Sequence, residues 1–495
     1  MARRHIDPPQ DRRQNIRETN PNENTGINHN LSVDDAIHDD VTSLNSIVNS
    51  CSQPPSIKDM EKIQDQNCIF MIAPFKYDPS LPHDIPKSIN DSNNYDDIWH
   101  VDYIRMPCSP QYMANNGQPM WQRICLALNQ LKQKCENKKA NFRDLKVTPP
   151  LLRQKSNHSL TMSQQQAASL LACSFFCLFP TVYDEEKQHE NFQEPNFHRL
   201  YQKGPPENIE KLKCILHYFR RITEEMPSGV ITIQRYALPE KAYPNWCNSE
   251  IGLSQLCLTK EKKIEDIKNV LQADFANKYI GGGVLGSGCV QEEIRFSISP
   301  EMLVSLLVCE VMEDNECIFL IGCERYSSYK GYANSFQFDG DFRDITPKDN
   351  WGRKWCHLVA MDAIYFSDPS IQYKMDNVHR ELIKAYASFR PLEKEPGFEF
   401  GIATGNWGCG VFNGDKELKA IIQLMAASEA RRPLIYAAFN DENLFYSFIK
   451  VYEYLKQHRA TVGDLYQYLE EYSTKYKDMT LFNYILQTLP SSTKK

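Results

Sequence analysis

The chain has 495 residues, 41% of them apolar, enough for a substantial core spread over two to four domains. A formal net charge of −7 argues against nucleic-acid binding by bulk electrostatics. No run approaches the ~18 apolar residues of a membrane span, no apolar signal core opens the chain, and sixteen cysteines show no paired C-x-x-C framework. A soluble protein of a reducing, intracellular compartment is therefore expected.

Residues 1–98 are mostly polar and read as a disordered, regulatory N-terminal region. Arg3, Arg4, Arg12, Arg13 and Arg17 form a loose basic cluster, suited to nuclear import or simply to a solvated tail. Cys68 to Phe75 is apolar, a first strand or a docking peptide, and Asp91 to Asp97 is loop-like. From residue 99 the apolar density rises, and Trp121 to Leu131 has helical periodicity. Ser163 and Gln166 form a capping box for a helix running through LLACSFFCLF to Pro180. Residues 184–206 are rich in loop formers. Glu207 to Glu225 reads as another helix, with Leu212, Ile215, Leu216 and Phe219 on one stripe. Residues 99–228 are thus expected to be mainly helical.

Gly229 marks a change of period. Val230–Ala237 alternates as a strand, and short apolar strand candidates follow at Val270–Phe275, Cys317–Gly322, Leu358–Phe366, Phe400–Thr404 and Leu434–Phe439. Helical patterns separate many of them, at Pro300–Val311, Met375–Phe389 and Asp415–Ala430. This alternation predicts an α/β domain over residues 229–475, a mixed or parallel sheet flanked by helices. Ligands of such sheets bind beyond the carboxyl ends of strands. Asp441–Leu455 and Val462–Tyr472 read as amphipathic helices packed outside the sheet. Residues 476–495 form a tail with one short helix near Leu481–Leu489.

Two glycine-rich stretches fall at predicted strand ends. The first is ADFANKYIGGGVLGSGCVQEEIRF, from Ala273 to Phe296. Gly281, Gly282 and Gly283 can take positive φ, and successive N–H groups in such a turn form an anion nest that suits phosphate. Seven residues later come Gln291, Glu292 and Glu293. A Glu-Glu pair is often only a solvated pair; beside a glycine triplet it reads as chemistry. Glycosidases set two carboxyls on opposite sides of the scissile bond, about 5–9 Å apart. Sequence neighbours on a helical turn diverge by about 100° and cannot do so. One glutamate is therefore expected to transfer the proton while the other fixes a hydroxyl. The second stretch, ATGNWGCGVF from Ala403 to Phe412, leaves a strand and leads through Asp415 into a helix, which sets N–H groups and a positive dipole end near an anion. It is neither a Walker loop nor a Rossmann fingerprint.

Here the residues resemble a known family. GGG, seven residues, then QEE is the signature of poly(ADP-ribose) glycohydrolases. The resemblance extends through ADFAN, EIRF, Tyr329-Lys330-Gly331-Tyr332-Ala333, ATGNWGCGVF and TVGDLY at 461–466. Upstream, MSQQQAASLLACSFFCLFP, Asn196-Phe197 and YFRRITEEMPSG resemble the family's helical accessory domain. The resemblance covers residues 100–475 and implies a macrodomain-like sheet, preceded by that accessory domain, that hydrolyses ribose–ribose O-glycosidic bonds.

Residue by residue, the resemblance implies Glu293 as general acid and then base, Glu292 orienting the ribose, and Asp274 and Asn277 around the ribose and Glu293. It implies that the Gly281–Gly283 loop and the loop of Asn406, Gly408 and Gly410 hold the diphosphate. Tyr332 would cover the nucleotide, Phe412 and Phe439 would pack on ribose and adenine, and Ile264 and Glu265 would meet the adenine edge. Gln291 belongs to the same substrate-binding set. No metal and no cofactor are implied. The partners implied are poly(ADP-ribose) on modified proteins and the product ADP-ribose, for a monomer acting in DNA damage responses in the nucleus or cytoplasm, without membrane or sequence-specific nucleic-acid binding. A noncatalytic ADP-ribose reader would need the loops but not the glutamates, and a nucleotide-sugar phosphohydrolase would need a metal-binding carboxylate cluster.

Overall fold

The structure is a computed structural model, and it describes residues 43–50, 53–54, 68–71, 102–107, 109, 111–114, 117–124, 126, 148–180, 191–391, 400–475 and 479–488. The five N-terminal arginines, the Asp91–Asp97 loop, the second half of the Trp121–Leu131 helix and residues 489–495 lie outside the described residues.

In chain order the strands are β1 (Cys68–Met71), β2 (Ser159–Ser163), β3 (Val230–Ala237), β4 (Leu256–Thr259), β5 (Leu271–Asp274), β6 (Glu316–Ile321), β7 (Ser327–Lys330), β8 (Gln337–Asp341), β9 (His357–Ala360), β10 (Ile402–Gly405) and β11 (Leu434–Ala437). The helices are α1 (Leu44–Asn49), α2 (Gln164–Phe175), α3 (His198–Tyr201), α4 (Glu207–Glu224), α5 (Gln291–Ile298), α6 (Val304–Val308), α7 (Met375–Phe389), α8 (Lys416–Glu429), α9 (Glu442–Gln457), α10 (Val462–Lys475) and α11 (Leu481–Gln487). None of the described helices is long and apolar enough to cross a membrane.

Nine strands form one mixed sheet in the order β1-β2-β3-β6-β9-β5-β10-β11-β4, and β7 pairs with β8 in a separate hairpin. From β9 to β4 neighbouring strands run parallel. On the other side of β9 the pairs β9–β6, β6–β3 and β3–β2 are antiparallel. Side chains alternate across such a sheet, and the sequence obeys that period. On β6, Phe319 and Ile321 face a core shared with Val378, Leu382, Ile421 and Phe448 of the later helices. Ile318 and Leu320 face a second core shared with Leu170, Ile215 and Tyr218 of the helical region. Each such side chain is 2% exposed or less, and burial of this kind stabilises by roughly 1.5–3 kcal/mol per large apolar side chain.

Three expectations are corrected here. The stretch read as mainly helical also contributes β2, whose sequence Ser-Leu-Thr-Met-Ser is short and polar. Its strand character comes from pairing with β3, where the hydroxyls of Thr161 and Thr232 stand 2.9 Å apart. The helix expected over Pro300–Val311 is a 3₁₀ turn, Pro300–Leu303, followed by α6, because Cys309 and Glu310 turn extended and bridge to Leu152 and Phe192. The strand expected to reach Phe366 stops at Ala360, where Asp362 leaves to pair with Lys384 at 2.6 Å and Arg380 at 2.5 Å.

Candidate active site

Parallel strands β5, β10 and β11 are neighbours, with Ile402 opposite Leu271 and Gly405 opposite Ala437. Their carboxyl ends lie side by side, so the loops that follow them crowd one edge of the sheet, the edge where ligands of α/β sheets bind. After β5 the chain passes through the glycine triplet and returns as α5, whose first three residues are Gln291, Glu292 and Glu293. Gln291 fastens the helix to the strand end: its Oε1 accepts the Phe275 N–H at 2.8 Å and its Nε2 donates to the Ala273 carbonyl at 3.2 Å.

The carboxylate of Glu292 accepts the N–H of Gly281 at 2.6 Å and of Asn277 at 2.9 Å. That of Glu293 accepts the N–H of Gly283 at 2.9 Å and reaches back to the Val290 N–H at 2.8 Å, closing the first turn of its own helix. Gly282 has φ +50°, and a Cβ there would stand 2.5 Å from Glu292 Oε2 and 2.6 Å from Glu293 Oε1. The triplet is therefore a nest of N–H groups, and what it holds are the two glutamate carboxyls. With the Gly282 N–H given to the Tyr279 carbonyl at 3.1 Å, all three triplet amides have partners within the protein. In this structure the triplet cradles the Glu292 and Glu293 carboxyls.

Asp274, at the end of β5, is fully buried, and neither carboxyl oxygen has a hydrogen-bond partner among the described residues. Burial pushes its pKa up to about 8; the Arg295 guanidinium opposes the shift and Glu293 adds to it. Burial, then Asp274 and Glu293, push Glu292 well above the usual carboxylate range against its two N–H donors. Asp274 and Glu292 thus favour their protonated forms near neutral pH.

The second glycine-rich loop is pinned by Trp407, which is fully buried and donates from Nε1 to the Met361 carbonyl at 3.0 Å. Gly408 takes φ +71°, where a Cβ would lie 2.6 Å from that of Ala363. The N–H groups of Gly408, Gly410, Val411 and Phe412 have no partner among the described residues, and a Cβ on Gly410 would meet open space. The loop then enters α8 through Asp415, whose side chain caps the Leu418 N–H at 2.8 Å. Unpaired amides beside a helix N-terminus suit an anion. The Asn406 side chain is already engaged: it accepts from the Tyr436 hydroxyl at 3.0 Å and donates to the Ala438 carbonyl at 3.3 Å.

Tyr332 lies on the β7–β8 connection and packs against the cluster of Cys289, Ile294 and Phe336 beside α5. Its ring stands 4.9 Å from that of Phe439, which follows β11, is 53% exposed and holds φ +54°. Phe412 is half-buried, edge-on to Tyr365 at 6.1 Å. Ile264 is buried in a small cluster with Ile47, Val270, Ala403 and Ile435, while Glu265 accepts the Tyr329 hydroxyl. The structure thus brings Asp274, Asn277, the triplet, Gln291, Glu292, Glu293, Tyr332 and Phe439 together. Glu265 reaches the Tyr332 hairpin through Tyr329, and Ile264 is buried beside it.

The comparisons agree with this architecture. Residues 243–446 match the macrodomain-fold catalytic domain of poly(ADP-ribose) glycohydrolase, and residues 117–235 match its helical domain. Poly(ADP-ribose) glycohydrolase 1 of Arabidopsis thaliana is 34% identical over 409 residues, covering 67% of this chain and 74% of that protein. The chain belongs to the poly(ADP-ribose) glycohydrolase family. A probable poly(ADP-ribose) glycohydrolase 2 of the same plant is 35% identical over 366 residues, covering 63% and 69%. Poly(ADP-ribose) glycohydrolase 1 of Caenorhabditis elegans is 33% identical over 350 residues, covering 68% and 43%.

Two side chains of the helical region enter this glycohydrolase site without having been expected there. Gln193 Nε2 donates to the carbonyls of Tyr279 at 3.2 Å and Gly282 at 2.9 Å. Lys211 Nζ donates to those of Val284, Gly286 and Gly288, at 3.0, 2.8 and 2.6 Å. Neither belongs to a motif. The one available signal is that Lys211 adjoins Leu212 at the edge of the apolar stripe of α4.

Proposed function

We propose that the chain is a poly(ADP-ribose) glycohydrolase in which Glu293 is the general acid and then the general base. The observation that supports this most is the carboxyl cluster: Glu293 leaves the first turn of α5 into a cradle of N–H groups, beside Glu292 and the unpartnered Asp274. An anionic diphosphate arriving near three clustered carboxyls favours the cluster's protonated states. In the first step the acid gives its proton to the leaving ribose oxygen as the C1–O bond breaks. Positive charge builds on C1 and the ring oxygen, and the substrate's own diphosphate stabilises it. In the second step the resulting carboxylate takes a proton from water as the water oxygen bonds to C1, which restores the acid. Glu292, held by two amides, orients the ribose hydroxyl.

The unpaired amides of Gly408, Gly410, Val411 and Phe412 are the diphosphate site this reading favours, and Tyr332 and Phe439 border the nucleotide. The test is direct. Purified protein, without added metal, is incubated with poly(ADP-ribose), and released ADP-ribose is quantified. Release is expected; tight ADP-ribose binding with no release would replace the enzyme reading with that of a noncatalytic reader.

A further inference from the structure

We propose that Lys211, carried by the helical region, is a positioning residue for this hydrolysis, holding the loop that seats the acid. The inference rests on the hydrolase reading above. An ammonium has three N–H donors, and Lys211 faces three carbonyls, those of Val284, Gly286 and Gly288. All three lie in the bridge between the glycine triplet and the glutamate pair. The side chain is 1% exposed, so water cannot replace these bonds.

The bridge has little slack. Gly288 and Gly283 touch backbone to backbone, where a Cβ on Gly283 would come within 3.0 Å of Gly288, and a Cβ on Gly288 would stand 2.6 Å from Glu293 Oε1. A shift of about an ångström in the bridge would therefore move the amide cradle off Glu293, a scale of misplacement that can cost 100-fold in rate. Gln193 holds the other end of the same loop through Tyr279 and Gly282. The acid-bearing loop of the sheet is thus fixed from the helical region at both ends.

Burial lowers the Lys211 pKa to about 8, with Cys289, Glu293 and Glu207 opposing the shift. Glu207 sits on its own helix, Cys289 on the bridge and Glu293 on α5; these are the titratable groups facing it. Loss of the proton leaves two donors for three carbonyls, so the bridge should loosen on the alkaline side.

The experiment compares full-length wild type with Lys211→Met, measuring kcat, KM and ADP-ribose Kd from about pH 6 to 9.5. Wild type is expected to lose kcat on the alkaline side. Lys211→Met is expected to show kcat at least about 10-fold lower near neutral pH, a wild-type-to-variant kcat ratio that shrinks on the alkaline side, where the limb set by the acid is common to both, and a Kd for ADP-ribose within about 3-fold of wild type. Should Lys211→Met fail to fold, Lys211→Arg carries the test, because arginine keeps its charge and its kcat relative to wild type should rise on the alkaline side, where the limb set by the acid cancels. Folded Lys211→Met with wild-type kcat, or a Lys211→Arg to wild-type kcat ratio that does not change with pH, overturns the proposal. An inactive wild type would instead sink the hydrolase reading itself.

Discussion

One methyl group at residue 282 would meet two carboxylates at once, 2.5 Å from Glu292 and 2.6 Å from Glu293. Gly282→Ala also places a Cβ at φ +50°, a conformation that costs about 1 kcal/mol for a residue other than glycine. The expected outcome is a loss of kcat of at least about 100-fold with only a modest fall in Tm; unchanged turnover would show that the triplet does not shape the acid. Asp274 makes a prediction of its own. Its folded pKa, about 8, lies above the ordinary ~3.9, so folding favours its protonated form. That stabilising contribution is complete below the ordinary value and is lost as pH rises through about 8. Asp274→Asn should therefore gain Tm relative to wild type at pH ~8.5 while matching it near pH ~4.5, and should turn over more slowly. Equal Tm differences at both pH values would contradict a carboxyl held protonated.

At the scale of elements, the site depends on the junction of β5 with α5. Gln291→Ala would strip the partners from the Phe275 N–H and the Ala273 carbonyl, and leaving buried backbone groups unpaired costs about 1–3 kcal/mol. A urea midpoint unchanged from wild type would count against this junction. Of the two elements, β5 was legible in the sequence, whereas α5 was not among the helices expected from it. β3, β5, β6, β10 and β11 are apolar runs, and α7 and α8 carry clear helical stripes, so their residues declare their burial. The glycine triplet and Gln291-Glu292-Glu293 declare chemistry by spacing. What stayed hidden owes its structure to tertiary partners. β2 is too polar to announce a strand, the β7–β8 hairpin buries only alternate residues weakly, and Leu256–Thr259 is four residues long. Lys211 is one lysine on an amphipathic helix, and only the folded chain shows that its head group is buried. The triplet's occupant was likewise invisible, because an anion nest looks the same in sequence whether it holds a ligand or the protein's own carboxylates.

At the scale of the whole molecule, the regions matching the two family domains share one sheet and one core. β2 and β3 extend the sheet that carries the site, and Leu160, Met162, Leu170, Ile215 and Tyr218 pack with Ile318, Leu320 and Leu358. The buried Arg235 of β3 joins this assembly further, pairing with Glu316 and donating to the carbonyls of Glu310 at 2.6 Å and Val311 at 2.7 Å. Calorimetry of the full chain should therefore show one cooperative transition for these regions, and a fragment beginning at Gly229 should not fold on its own. Two separate transitions would contradict the shared core. The most direct test of the mechanism is Glu293→Gln, with turnover of poly(ADP-ribose) and calorimetric binding of ADP-ribose measured on the same preparation. Turnover should fall at least about 1,000-fold while Kd stays within about 3-fold. A variant that still releases ADP-ribose at near the wild-type rate would show that the proton comes from elsewhere.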